Sequence, residues 1–494
     1  MKRLLVLAPL RVEAFALRGA QVVRTGMGPE RARRAAAEAR GLEADAVAVA
    51  GLCGGVGAGL RAGDVVVATE LRTEDGVALQ LAPPGPLVAT LRRHGLRVVE
   101  GPVLSADRIL SRPERERLAG KGVVAVDMES AWLAEAAAGR PLTVLRVVVD
   151  APGRRLADPR TVTAGIRALR ALRASLPVLQ EWADATGPRS VLLAGPRSFC
   201  AGVERAVEIV ERALEKRGAP IYVRKQIVHN QHVVGDLESR GAVFVEELEE
   251  VPEGATVIFS AHGVSPQVKT EARERQLQVI DATCPLVNKV HAEARRFARD
   301  GRTIFLIGHE GHEEVEGTAG EAPDAIRLVE RSEDVAALEI EDPGNVAFLT
   351  QTTLAVDEAM EVVGTLRERF PLLVGPSSDD ICYATHNRQN ALRAVSRDAD
   401  VVLVVGSQTS SNSKRLVEVS QRDGTPAHLL DDETELDLAW ISGARVVGLT
   451  AGASAPESLV RRVVAALEGL GPVSVEERTM TEESISFALP KEAL

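Results

Sequence analysis

Three cysteines, Cys200, Cys284 and Cys382, stand far apart in the chain, each in a short polar loop that follows an apolar run and opens an amphipathic one. Their contexts are Arg197-Ser-Phe-Cys200-Ala-Gly, Asp281-Ala-Thr-Cys284-Pro and Asp379-Asp-Ile-Cys382-Tyr. Thiolates converging from three such loops could hold an iron–sulfur cluster with one iron left open to a substrate, because a four-cysteine cluster would be saturated. Helix N-termini behind the loops would favour the thiolate and its charge. Spacing alone leaves two other readings open: three buried structural cysteines, or a three-cysteine zinc site. The closely spaced Cys/His pairs of structural zinc do not occur. Cys53, in Gly51-Leu-Cys53-Gly-Gly, has no second thiol near it and reads as a small buried residue.

Other polar loops in the same region carry matching chemistry. Seven of the nine histidines fall between His229 and His386, and His229, His262 and His312 sit beside Gly, Ser or Asn at strand ends. With Ser410, Ser411, Asn412 and Ser454 they would donate hydrogen bonds to a diphosphate. No Gly-x-x-x-x-Gly-Lys-Ser/Thr run is present, so ATP hydrolysis is not implied. Glu314, two residues after His312, is the carboxylate placed to move protons. The competing reading is a solvated acidic loop shared with Glu310, Glu313 and Glu316.

These residues need elements to position them. A chain of 494 residues exceeds one ordinary core. Buried β-branched runs alternate with Ala- and Leu-rich helical stretches throughout, which predicts an α/β fold. In open α/β sheets ligands bind beyond the carboxyl ends of the strands, where the polar loops fall. The cysteine spacing predicts three similar α/β units, roughly 188–278, 279–375 and 376–494, around a shared centre. The strand Ser190-Val-Leu-Leu-Ala is expected to open the first. A separate α/β domain, 1–187, precedes them; a helix over Thr161–Leu179 closes it and a linker spans Trp182–Arg189.

Composition excludes several functions. A net charge of −11 and 3% aromatic residues argue against nucleic-acid binding by phosphate neutralisation or base stacking. No apolar stretch is long enough for a membrane span. Four cysteines in a chain this long make no disulfide framework, so a reducing cytoplasm is expected.

The ordered motifs of the last three hundred residues resemble the 4-hydroxy-3-methylbut-2-enyl diphosphate reductase family. They include Val228-His-Asn, Ser260-Ala-His-Gly-Val-Ser, Asp281-Ala-Thr-Cys-Pro-Leu-Val, Gly311-His-Glu-Glu-Val-Glu-Gly, Thr350-Gln-Thr-Thr-Leu, Ser410-Ser-Asn-Ser and Thr450-Ala-Gly-Ala-Ser-Ala-Pro-Glu. The resemblance implies a trefoil-like array of three α/β units around a 4Fe-4S cluster on Cys200, Cys284 and Cys382. Glu314 would supply protons, assisted by Thr352 and His312. His229, His262, Ser410, Ser411, Asn412 and Ser454 would hold the diphosphate, and a ferredoxin or flavodoxin would give electrons. Two departures stand out: Ser198 replaces a usual glycine, and Glu313 a usual proline whose fixed φ is lost. A cluster-bearing dehydratase or a quinolinate-synthase-like lyase is the enzymatic alternative, disfavoured by the diphosphate-like loops. An iron–sulfur sensor would not need Glu314 and Thr352.

The first 187 residues resemble the purine nucleoside phosphorylase and methylthioadenosine nucleosidase superfamily, on Ala50-Gly-Leu-Cys-Gly-Gly55, Leu104-Ser-Ala-Asp107, Val126-Asp-Met128-Glu129-Ser-Ala and Arg146-Val-Val-Val-Asp150. The likeness implies that Glu13 handles the attacking water, Met128 and Glu129 meet the ribose and Asp150 protonates the purine. Val149 departs from the hydroxyl residue usual beside that acid. Oligomeric state is left open.

Overall fold

The computed structural model describes residues 1–57, 59–76, 78–150 and 160–493. They divide into two compact units, one made of Met1–Val191, Asp432–Arg445 and Arg461–Ser474, the other of Leu192–Asp431, Val446–Val460 and Val475–Leu494.

The first unit is built on an eight-stranded sheet. Its order runs Gln21–Arg24, Leu4–Ala8, Ala46–Gly55, Ala125–Asp127, Val98–Ser105, Val65–Thr73 and Ala78–Gln80. The strand Leu142–Asp150 pairs in parallel with Ala46–Gly55 and antiparallel with Val65–Thr73, so the middle of the sheet closes into a ring. Leu5, Leu7, Val47, Val49, Val66 and Val144 are fully buried in one cluster, as continuous β-branched runs require when both faces are covered. The helix over Arg160–Ala185 runs past its predicted end. Trp182, assigned to a linker by the sequence, lies in that helix and is 4% exposed. Its indole found apolar packing that the polar neighbours Asp184 and Thr186 concealed.

The residues after Gly187 carry three separate sheets. A parallel four-stranded sheet has the order Ala242–Val245, Ile221–Arg224, Thr256–Phe259, Gln278–Asp281. A parallel three-stranded sheet has the order Ile326–Val329, Thr303–Ile307, Val346–Thr350. A five-stranded sheet has the order Ala427–Leu430, Val401–Val405, Val446–Ala451, Arg189–Gly195, Val473–Thr479. Three sheets are thus observed, and one strand sits elsewhere than expected. The strand containing Ser190 does not open the first unit; it lies inside the third sheet, because Val446–Ala451 and Val473–Thr479 supply partners on both of its edges.

Helix starts do the positioning. Cys200 caps Ala201–Arg217, Cys284 caps Pro285–Arg299, and Cys382 caps Tyr383–Ser396. Asn230, His312 and Ser410 cap Gln231–Ser239, Glu313–Ala319 and Ser411–Arg422, each accepting backbone N–H bonds with its side chain. An N-cap leaves the chain extended on one side and helical on the other, which places these side chains at the strand–helix turns lining one end of the sheets.

Candidate active site

Cys200, Cys284 and Cys382 line a single cavity of about 100 Å³ in the second unit. A Cβ on Gly202 would stand 2.8 Å from Cys284 Sγ and 3.8 Å from Cys200 Sγ, so the bare glycine is what lets these two sulfurs approach the same point. The Thr385 amide donates to Cys382 Sγ at 3.3 Å, with Thr385 Oγ1 3.1 Å away. Burial pushes the Cys284 thiol up to about 12 and the Cys382 thiol up to about 11. Without a cation these sulfurs stay neutral; a bound positive centre would supply what their ionisation lacks. The donor set fits an iron–sulfur cluster.

The first cysteine loop is held tightly. Ser198 has φ of 60°, a left-handed conformation that costs a non-glycine residue roughly 1–2 kcal/mol. Its neighbours offset this: Ser198 Oγ donates to Glu457 at 2.8 Å, and its carbonyl accepts from Arg388 Nη2 at 2.7 Å. Arg388 is fully buried and pairs with Glu483 at 3.1 Å. The usual glycine is thus replaced without losing the turn.

Glu314 is 2% exposed, which removes the solvated-loop reading. Its carboxylate accepts from the Thr352 amide at 2.6 Å and from Thr352 Oγ1 at 2.9 Å. Burial raises its pKa to about 7, so it is poised to exchange a proton near neutrality. Glu314, Thr352 and His312 all line the cysteine cavity. Asp380 lies behind them. It accepts from the Thr350 amide and from Lys289, each at 3.2 Å, and so anchors the Thr350–Thr352 turn. Burial raises Asp380 to about 6.

The imidazoles of His229 and His262 stack at 4.1 Å, and His312 stands edge-on to them at 5.7 and 5.9 Å. Burial, followed by the neighbouring His262, holds His229 and His312 down at about 3, so both are neutral at ordinary pH. His312 Nδ1 accepts from the Glu314 amide at 3.2 Å, which fixes its proton on Nε2. Ser454 Oγ donates to the His229 carbonyl at 3.0 Å, and Asn412 Oδ1 accepts from the Ala453 amide at 2.9 Å. Ser410, Ser411, Asn412 and Ser454 line the same cavity as the histidines. Every residue the sequence assigned to the cysteine and diphosphate loops is brought to this one place.

Several residues at the site were not anticipated. Thr385 contacts Cys382 Sγ and also accepts from Asn412 Nδ2 at 3.4 Å, linking the two loop systems. Glu313 was read as a loss of backbone rigidity and as part of an acidic loop. Its side chain instead accepts from Ser260 Oγ and His262 Nδ1, both at 3.2 Å. Burial pushes the Glu313 carboxyl up, but the His262 hydrogen bond first, and then the surrounding imidazoles and Lys225, outweigh it and hold the group at about 2 in its ionised form.

Residues 191–468 match the family model described as LytB protein. The chain belongs to this family. A 4-hydroxy-3-methylbut-2-enyl diphosphate reductase of Rhodococcus jostii strain RHA1 is 59% identical to this LytB member over 309 residues, covering 62% of this chain and 92% of the relative. One from Azoarcus strain BH72 is 58% identical, covering 61% and 97%. The solved structure of the E-1-hydroxy-2-methyl-but-2-enyl-4-diphosphate reductase from Plasmodium falciparum is 40% identical, with a TM-score of 0.60 over 62% of this chain and 97% of that one. Residues 18–174 of the LytB chain match the Phosphorylase superfamily model.

In the first unit, Glu13, Met128, Glu129 and Asp150 line one cavity of about 270 Å³. Glu13 is 1% exposed and accepts from the Leu10 and Leu52 amides at 2.6 and 2.7 Å. Glu129 accepts from the Gly28 amide at 3.0 Å. Burial raises the pKa of both carboxyls, against the opposing charge of fully buried Arg146. Asp150 forms an ion pair with Arg115 at 2.7 Å, a partner the sequence did not indicate. Cys53 also borders this cavity, and burial raises its thiol pKa, as expected of a small buried residue without chemistry.

Proposed function

We propose that the chain is a 4-hydroxy-3-methylbut-2-enyl diphosphate reductase, giving isopentenyl and dimethylallyl diphosphates, with a nucleosidase-like domain joined to it near Gly187. The observation that carries this reading is the convergence of three thiols, three imidazoles and a buried carboxyl on one cavity. Cys200, Cys284 and Cys382 would hold a 4Fe-4S cluster, which supplies electrons and a Lewis-acidic iron for removal of the allylic hydroxyl. Ferredoxin or flavodoxin would recharge it. His229, His262, His312, the Ser410–Asn412 turn and Ser454 would surround the diphosphate, with His312 Nε2–H among the donors, and hold the allylic end toward the sulfurs. Glu314 delivers a proton to the departing hydroxyl. Thr352 orients its carboxyl through two hydrogen bonds and can pass the proton on.

No helix among the described residues is long and apolar enough to cross a membrane. The thiol requirement suits a cytoplasmic setting. Anaerobically reconstituted protein is expected to show 4Fe-4S absorption and electron paramagnetic resonance signals, and to convert the allylic diphosphate when given reduced flavodoxin. Absence of both overturns the reading.

The amino-terminal cavity supports nucleoside binding, on the placement of Glu13, Glu129 and Asp150 around it. Incubation with 5′-methylthioadenosine or S-adenosylhomocysteine is expected to release adenine from the wild type and not from Glu13→Gln. Equal absence of release from both would remove hydrolysis of these two nucleosides from the domain.

A further inference from the structure

The segment that follows the strand Val473–Thr479 has no part in the chemistry described so far, yet it reaches the centre of it. From Met480 to Pro490 it contains neither helix nor strand. Phe487, within it, lines the cavity of the three cysteines and is the largest wholly apolar side chain there. A stretch without a backbone ladder keeps one place only when its side chains and carbonyls are fastened elsewhere. Three contacts fasten this one. Glu483 accepts from Asn387 Nδ2 at 3.0 Å and from Arg388 Nη1 at 3.1 Å. The Ala488 carbonyl accepts from Arg205 Nε at 2.8 Å. Leu489 packs against the apolar cluster around Ile209 and Ile221.

Both guanidiniums reach further. Arg388 Nη2 donates to the Ser198 and Phe199 carbonyls at 2.7 and 3.2 Å, immediately before Cys200. Arg205 Nη1 donates to the Ala282 and Thr283 carbonyls, each at 3.2 Å, immediately before Cys284. Each arginine therefore ties the segment to one cysteine loop. Arg388 is fully buried, and a guanidinium there is strongly unfavourable without the carboxylate of Glu483. The group that shapes the Cys200 turn thus also holds the segment, and Phe487 lies between the two ties in sequence.

Phe487 can neither bond to a diphosphate, move a proton nor ligate iron. What its ring supplies is apolar bulk that keeps water out. The need for such bulk is plain, because Cys200, Cys284 and Cys382 are each only half-buried. We propose that Glu483–Leu489 is a strap across the cysteine cavity and that Phe487 is its plug, the residue that governs how readily water and oxygen reach the sulfurs. Its value to an iron–sulfur cluster rests on the reductase reading, whereas the shielding of the thiols does not.

The test uses the full-length chain in two states. In the iron-free protein, iodoacetamide labelling is followed at each cysteine by mass spectrometry. Cys53, 4% exposed in the first unit, serves as the internal reference. Phe487→Ala is expected to speed labelling of Cys200 and Cys284 on the order of tenfold and to leave Cys53 unchanged, because the opening is local. Phe487→Leu, which keeps most of the apolar bulk, should return the rates close to wild type. Glu483→Gln should act in the same direction as Phe487→Ala by loosening one tie. In anaerobically loaded protein, with equal iron content at the start, Phe487→Ala should lose its cluster absorption in air on the order of tenfold faster. Wild-type labelling or bleaching rates in Phe487→Ala, or equal acceleration at Cys53, would overturn the strap. Faster labelling of Cys200 and Cys284 in a protein that takes up no cluster would keep the strap while sinking the reductase reading.

Discussion

Glu314→Gln is expected to lower turnover by on the order of 100- to 10,000-fold, the usual worth of a positioned general acid, with iron content and cluster absorption unchanged. The amide keeps the size of the carboxyl, and its oxygen can still accept from the Thr352 amide, now 2.6 Å from Glu314 Oε1. It has no acidic proton to give. Because burial raises Glu314 to about 7, the wild type should lose turnover as pH rises through that value and the carboxyl empties. Glu314→Gln should lack that limb. Stability supplies a second check. A carboxyl whose folded pKa lies above its ordinary 4.5 contributes stability at pH below 4.5 and loses it as pH climbs through about 7. The melting temperature of Glu314→Gln relative to wild type should therefore rise across that window. Unchanged turnover in the variant would take Glu314 out of the proton path.

Cys382→Ser is expected to reduce iron content and reductase activity to background while leaving the far-ultraviolet circular dichroism intact. Serine can still cap Tyr383–Ser396, so the helix start survives the exchange. What it cannot provide is a soft anionic ligand. The same logic predicts how the iron-free wild type behaves. With Cys284 near 12 and Cys382 near 11 through burial, both remain thiols at pH 8, since the thiolate forms only as pH rises toward those values. Alkylation after iron removal should be much slower than for a model thiol and should accelerate with rising pH. Full iron content in Cys382→Ser would refute the three-cysteine site.

The loops carrying the three cysteines, the histidines and Ser410–Asn412 were legible in the sequence because each is a short run in which a helix cap and a chemical group coincide. Cys284 before Pro285 and Ser410 before Ser-Asn-Ser announce both at once. Side-chain partners across long sequence distances were not legible. Glu313 reaching His262, Arg388 reaching the Ser198 carbonyl and Arg115 reaching Asp150 depend on which elements fold side by side. Trp182 was misread because a polar run around one aromatic residue looks like a linker until its packing surface is known. The strand Arg189–Gly195 was misplaced for a related reason: β-branched runs declare that a strand is buried, not which sheet buries it.

That strand bears on how the molecule is made. Ser190 Oγ meets Ser474 Oγ at 3.0 Å across 284 positions of chain, and the Met480 amide donates to the Gly195 carbonyl at 2.8 Å. During synthesis Arg189–Gly195 leaves the ribosome long before either neighbouring strand exists, an apolar ribbon with two open edges. The first two sheets of the second unit can pair from local partners as they emerge. The third can pair Val401–Val405, Ala427–Leu430 and Val446–Ala451 locally. The place of Arg189–Gly195 between Val446–Ala451 and Val473–Thr479 needs contacts more than 250 residues apart, the kind of closure expected to be slow. Overproduction in cells would then be limited by the time this ribbon spends unpaired, and slower induction at lower temperature, or a holding chaperone, should raise the soluble yield more than any change at the cysteine loops.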